Sequence, residues 1–332
     1  MNPPGARISH LFAAVAAGAL LIATACGGSS RSHTQTPNPA GSPAAGAATS
    51  DAGGFPLTLQ RSDGKPLTLT KPPSRIVSLS PGATEIIYAL HAEARLIAVD
   101  KNADYPGAAK TFPEKVDAYE PNVESIAALG PDLVIVASDT GGLVAKLDEL
   151  KIPVLYNDLD TDVKTTRDVL AQIHVLGQVT GANDQAAALI TSLSARIDRV
   201  RQAVDGARPA PAPVVYHELD ETFFSASDDT FVGDLYRILH VTNIAGDGGG
   251  VTYPQLTQEK IIAADPTIIV LADEAFGVSI DSVKARPGWS SITAVHEGRI
   301  FALDADIISR PGPRIVDALE QLARDIYPTR FN

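Results

Sequence analysis

Two glutamates, Glu124 and Glu259, stand at matching points of a segment that the chain contains twice. The first copy reads PNVESIAALGPDLVIVA from Pro121, and the second reads PQLTQEKIIAADPTIIVLA from Pro254. Each glutamate comes seven residues before a proline, Pro131 or Pro266, which separates a short apolar helix from an all-apolar strand. A carboxylate at a helix start is favoured by the free N–H groups there, by about 0.3–1 kcal/mol, and that accounts for either residue alone. The duplication adds a second meaning. Two lobes that each carry one exposed carboxylate at the same place suit two arginine pockets on a symmetric partner, with charge-assisted bidentate bonds fixing the orientation.

Other residues suit the recognition of a small ligand. Arg310 and Arg314 in SRPGPR present planar donor forks to the oxygens of a ligand, and Arg310 is the one expected to reach it. Tyr119 and Tyr253 offer flat aromatic faces to a ligand. His217 and Glu218 could ligate a metal, although a histidine at a strand end is more often simply hydrogen-bonded. No catalytic constellation emerges. Ser62 and Lys65 have Ser-x-x-Lys spacing but sit in a glycine-containing turn, with no Ser-Asp-Asn or Lys-Thr-Gly to follow. There is no nucleophile elbow and no phosphate loop. The seven histidines are scattered, whereas a zinc site needs three or four converging ligands.

The elements that must position these residues follow from patterning. Residues 1–26 place Arg7 before the apolar run LFAAVAAGALLIATA, too short for a comfortable permanent span, and read as a secretory leader. The run ends at Cys26, the only cysteine, and Ala23-Thr24-Ala25-Cys26 resembles the lipobox of bacterial lipoproteins. Acylation there would leave a chain without thiols, anchored by its lipid outside the cell membrane. Residues 27–54 are Gly/Ser/Ala/Pro/Thr-rich and form a tether of roughly 30 Å reach. Net charge is −12, or −13 once Arg7 leaves with the leader, which argues against nucleic acid and against lying flat on anionic lipid.

Folded sequence starts near Phe55. Val/Ile/Leu strands alternate with helices over 55–160 and again over 207–332, predicting two α/β lobes with parallel sheets covered on both faces. Residues 161–206 predict two helices, the first ending at Gly181; the second runs from about Asp184 to Val204, with an apolar stripe Ile190, Leu193, Ile197, Val200 and Val204. Thr84 and Glu85 are expected at a helix N-terminus, and Trp289 in a peripheral helix. Loops at the carboxyl ends of the strands should line an interlobe cleft: Ser80–Gly82, Asn102–Tyr105 and Ala118–Glu120 from the first lobe, and His217–Asp220, Val251–Tyr253 and Asp306–Arg314 from the second.

With the motifs RIVSLSPGATEIIYAL, DYP, both repeat copies and SRPGPRIVDAL, residues 74–328 resemble the ABC-transporter binding proteins for cobalamin and ferric siderophores. The resemblance implies two Rossmann-like lobes joined by a single long α-helix, a ligand in the shallow cleft between them, and no enzymatic activity. It implies docking of Glu124 and Glu259 on an ABC permease dimer, an extracytoplasmic location and a metal chelate as ligand. No resident cofactor or metal is expected, and the protein should act as a monomer. Tyr253 matches a position at which cobalamin-binding members carry tryptophan. A free zinc or manganese ion, or haem, is the alternative ligand.

Overall fold

The computed structural model describes residues 54–158, 162–206 and 209–331. The expected leader, the lipidation of Cys26 and nearly all of the tether lie outside the described residues. A hairpin comes first, β1 (Leu57–Gln60) and β2 (Pro66–Leu69), antiparallel with Leu57 opposite Leu69. Its alternation is clean: Leu57, Leu59, Leu67 and Leu69 are buried, while Thr58 and Thr68 face outward and share a 3.1 Å hydrogen bond.

The first lobe comprises β3 (Ile76–Leu79), α1 (Pro81–Ala89), β4 (Leu96–Asp100), α2 (Gly107–Lys110), β5 (Lys115–Val116), α3 (Val123–Ala128), β6 (Leu133–Val136), α4 (Leu143–Glu149) and β7 (Val154–Tyr156). All five strands of its sheet are parallel, in the order β5-β4-β3-β6-β7. Every residue of β3 and β6 is buried, as unbroken aliphatic strands require when helices cover both faces.

Two helices follow, α5 (Thr166–Thr180) and α6 (Asn183–Asp205). A capping box of Thr165 and Asp168 starts α5, and Gly181, at φ 73°, ends it in the left-handed conformation. The second lobe contains β8 (Val214–Glu218), α7 (Phe231–Ile238), β9 (Thr242–Asn243), α8 (Gln258–Ala264), β10 (Ile268–Leu271), α9 (Ile280–Lys284), α10 (Thr293–His296), β11 (Ile300–Ala302), α11 (Ala305–Ile308) and α12 (Ile315–Ile326). Its strands are parallel, in the order β9-β8-β10-β11.

The sequence repeat is a topological repeat. Each copy supplies a helix and the strand after it, α3-β6 and α8-β10, and each of those strands pairs with the first strand of its own sheet. The helix α5 packs on α1 of the first lobe and α7 of the second, and Thr166 donates from its N–H and Oγ1 to Asp234 at 2.9 and 3.0 Å. The helix α6 packs on α12, where Arg196 reaches Asp317 at 2.5 Å and Glu320 at 2.8 Å.

Trp289 is not peripheral. Pro287 and Gly288, the latter at φ 80°, break the helix and turn the indole inward, where it is fully buried. Its ring centroid lies 6.0 Å from that of Tyr216 and 5.9 Å from that of Phe223. A large apolar surface next to a helix-breaking Pro-Gly pair is driven inside by its own size.

The junction of α5 and α6 is tight: a Cβ on Gly177 would lie 2.4 Å from the Cβ of Ala186, which has nowhere to move. Gly177→Ala is therefore expected to lower stability by about 1–3 kcal/mol, despite the helix preference of alanine over glycine of roughly 1 kcal/mol. Chemical denaturation checks this; an unchanged or raised midpoint would mean that the helices can separate freely.

Candidate functional site

The carboxyl ends of the two sheets meet at a polar seam. Leaving β3, the chain enters α1 at once, with Ser80 as N-cap accepting from the Ala83 N–H at 3.2 Å. Gly82 then lies so close to the second lobe that a Cβ would sit 2.9 Å from the carbonyl oxygen of Pro311. One turn further on, Glu85 receives two bonds from Arg314, at 2.9 Å from Nε and 2.6 Å from a terminal nitrogen. These side chains are 2% and 13% exposed. Glu85 was expected to complement a helix dipole; it is instead beyond the first turn and forms a buried ion pair between lobes. The guanidinium of Arg314 also lies over the ring of Tyr105, 4.1 Å from its centroid.

Arg310 continues the seam. It pairs with Asp104 of the first lobe and with Asp306 of its own at 2.5 Å, and donates to the Asn102 carbonyl at 3.1 Å. Burial, then the neighbouring Asp104 carboxyl, push Asp306 up to about 6. Burial opposes the ionisation of Asp104, yet its bonds to Arg310 and Asp306 hold it below the usual carboxylate range. A further pair joins Lys164, just before α5, to Asp229 of the second lobe.

Four large apolar side chains remain in solvent on the loops at these strand ends: Tyr105 after β4, Tyr119 after β5, Val251 after β9 and Phe276 after β10. Their exposures run from 47% to 61%. Tyr119 shares a shallow hollow of about 380 Å³ with Asn122, Thr140 and Lys146. Tyr253 is half-buried and packs against the core, while Asn102 is exposed. Phe276 was missed by sequence reasoning, which gave the stretch between β10 and the next helix no role. Its signal was an aromatic in the polar stretch DEAFG, whose Gly277 adopts φ 101° to make the turn.

His217 and Glu218 do not line an open cleft. Both are fully buried, because β8 is covered on both faces. The Nδ1 of His217 bonds the Tyr236 hydroxyl at 2.7 Å, and burial pushes the imidazole down to about 3, so it is neutral. Glu218 is held by two bonds of 2.6 Å from Arg286, which is itself stacked 4.5 Å from the centroid of Trp289. Beside them lies Asp273, 1% exposed. Burial and then the Glu218 charge push Asp273 up to about 8, so this buried group carries its proton at neutral pH. Among the described residues no group of three or more His, Cys, Asp or Glu is placed to hold a metal ion.

Glu124 and Glu259 are both exposed, and each is the second residue of its helix. Asn122 and Thr257 cap those helices by accepting from the N–H groups of Ser125 and Lys260, so the two carboxylates occupy equivalent positions. Neither makes an ion pair or a side-chain hydrogen bond among the described residues.

Two parallel α/β lobes, bridged by helices and presenting apolar loops at apposed strand ends, have the architecture of a substrate-binding protein. A sequence model described as "Periplasmic binding protein" matches residues 76–307, and the chain belongs to that family. The chain is 32% identical over 283 residues to the uncharacterized ABC transporter substrate-binding lipoprotein YvrC of Bacillus subtilis, with 83% of this chain and 87% of the relative covered. Its fold is similar to the periplasmic vitamin B12 binding protein BtuF of Vibrio cholerae, with TM-score 0.67 and 26% identity over 79% of this chain and 99% of that one. It is equally similar to the periplasmic heme-binding protein RhuT from Roseiflexus sp. RS-1, with TM-score 0.67 and 26% identity over 77% of this chain and 99% of that one. The chain is thus an ABC-transporter substrate-binding protein of the family that handles vitamin B12, siderophores and haem. It serves transport, not catalysis, outside the cytoplasm and with a permease as partner. No helix among the described residues is long and apolar enough to cross a membrane.

Two outcomes are expected of the buried charges. Glu85→Gln leaves Arg314 buried without its carboxylate and should cost about 3–5 kcal/mol in urea denaturation, whereas replacing both partners by leucine should recover most of the loss. An equal loss in the double variant would refute an ion-pair origin. Asp273 has a folded pKa raised from 3.8 to about 8, so its contribution is fully present below 3.8 and is lost as pH rises through about 8. Between about pH 6 and pH 9 the parent should lose on the order of 2 kcal/mol more stability than Asp273→Asn. Parallel profiles for the two proteins would contradict this.

Proposed function

We propose that the protein is a lipoprotein, acylated at Cys26, that captures a metal chelate between its lobes and delivers it to an ABC permease dimer. The chelate is a corrinoid or a ferric siderophore. One observation carries the reading: both lobes expose large apolar side chains at their strand ends, Tyr105 and Tyr119 from the first and Val251 and Phe276 from the second. Flat or domed chelates present the apolar area that such side chains cover. The similarity to a vitamin B12 binding protein supports the corrinoid arm. Capture is non-covalent, with the protein acting as a monomer. The lobes need only a small hinge motion, since Arg314 and Arg310 already join them and Lys164 ties the connecting helices to the second lobe.

Delivery rests on Glu124 and Glu259. Two exposed, unpaired carboxylates at equivalent helix starts support docking on arginines of two permease subunits. The tether supplies reach, and the acyl chains keep the protein at the membrane that holds its permease.

Fluorescence or calorimetric titration with cyanocobalamin, ferric siderophores, haem and free zinc tests the ligand. Tyr119→Ala with Phe276→Ala should weaken binding of the recognised chelate roughly ten-fold or more, as the loss of aromatic burial on both lobes implies. Binding of free zinc alone, or unchanged affinity in the double variant, would refute the reading. Glu124→Arg with Glu259→Arg should abolish uptake by cells while leaving affinity for the chelate intact; a large affinity loss would refute the docking role.

A further inference from the structure

The loops at the carboxyl ends of the strands carry a lopsided charge. Over residues 101–106, 117–122, 137–142, 157–165, 219–230, 244–257, 272–279 and 303–314, the described residues include fifteen Asp or Glu and four Lys or Arg. None of these four cations is free, though Lys146 of α4, exposed in the hollow beside Tyr119, is a further cation at the rim. Lys101 pairs with Asp117, Lys164 with Asp229, Arg310 with Asp104 and Asp306, and Arg314 with Glu85. Even with a proton on Asp273, the rim presents net negative charge, and Glu120, Glu221 and Glu274 on it are exposed.

Apart from the single charge of Lys146, an anionic ligand must take over donors that are already paired. Removing Arg314 from Glu85 would strand a carboxylate that is 2% exposed, and Tyr105 already covers the guanidinium. Removing Arg310 would leave Asp104 and Asp306 facing each other without their common cation. Either exchange replaces one ion pair by another and adds a buried like-charge contact, so it gives no net attraction. A neutral ligand needs no exchange. A cationic one gains from the surplus carboxylates, which concentrate it at the rim.

We propose, resting on the capture reading above, that this cleft selects uncharged or cationic chelates and discriminates against polyanionic ones. The selection lies in the rim, not in a dedicated contact. It separates chelate classes that otherwise offer similar shapes: corrinoids and ferric hydroxamates on one side, ferric tris-catecholates and haem propionates on the other.

The test is a calorimetric titration of the full mature chain with cyanocobalamin (neutral), ferrichrome (neutral), ferrioxamine B (singly positive), ferric enterobactin (triply negative) and haemin. A neutral or cationic chelate should bind at least roughly ten-fold more tightly than either anionic one, and added salt should weaken only a cationic chelate. Glu120→Lys with Glu274→Lys, both at exposed positions, should raise affinity for the anionic chelates by several fold. Preferential binding of an anionic chelate, or no gain from the two lysines, overturns the charge selection and leaves capture standing. Failure of every chelate to bind overturns the capture reading, and this inference with it.

Discussion

The pairing of Glu85 with Arg314 is the constraint on which the arrangement of the lobes depends. Glu85 belongs to the first helix of one lobe and Arg314 to the start of the last helix of the other, 229 residues away. Both are largely removed from water, so each would be expensive alone; together, with two short bonds in the planar geometry of a guanidinium, they tolerate burial. Such a pair adds little net stability over an apolar contact. What it fixes is geometry, since only one relative placement of the lobes satisfies both partners. Gly82 and Gly312 make that placement possible: a Cβ on the first would press against the Pro311 carbonyl, and one on the second would lie 3.2 Å from Glu85 Oε2.

From this joint the other features follow in order. The loops after β3 and β4 are brought against residues 306–314, which aligns the carboxyl ends of the two sheets. The helix α5 closes the frame from another side through Thr166 and Asp234. Because the apolar loop residues and the capped starts of α3 and α8 both belong to this frame, a ligand held by the first and a partner contacted by the second would meet one rigid object. That agrees with lobes that shift little around their ligand, the behaviour expected when helices and ion pairs, not a loose crossover, join them.

Much of this was legible in the sequence, for a definable reason. The repeat and the unbroken aliphatic strands report local geometry, and local geometry is what sequence patterning encodes. Thus α3-β6 and α8-β10 emerged at the expected places, and Gly181 ended its helix as expected. What escaped depends on distant partners. Glu85 looked like a helix-start carboxylate because nothing near it announces Arg314. His217 and Glu218 stand at a strand end, where exposure is the natural expectation; the layers over β8, including Arg286 and Tyr236, come from elsewhere in the chain. Trp289 was misplaced because a broken helix and a surface helix look alike until the indole is seen packed on Tyr216. The acidic character of the rim was visible residue by residue, but its meaning required knowing that all four cations on those loops are engaged.

That engagement shapes what affinity can be built from. With Arg310 and Arg314 committed to the joint and Lys101 and Lys164 paired elsewhere, the cleft draws attraction chiefly from apolar burial. Tyr105, Tyr119, Val251 and Phe276, each about half exposed, could together cover on the order of 400 Å², or about 10 kcal/mol of gross transfer free energy. Association itself opposes binding by roughly 4–15 kcal/mol, so all four side chains together are needed to offset it. A small ligand touching one or two of them would not be held. A ligand broad enough to touch both lobes at once would be, and a rigid one would lose less freedom on binding. The same charge arrangement that fixes the lobes therefore favours large, stiff, weakly charged solutes over small ions.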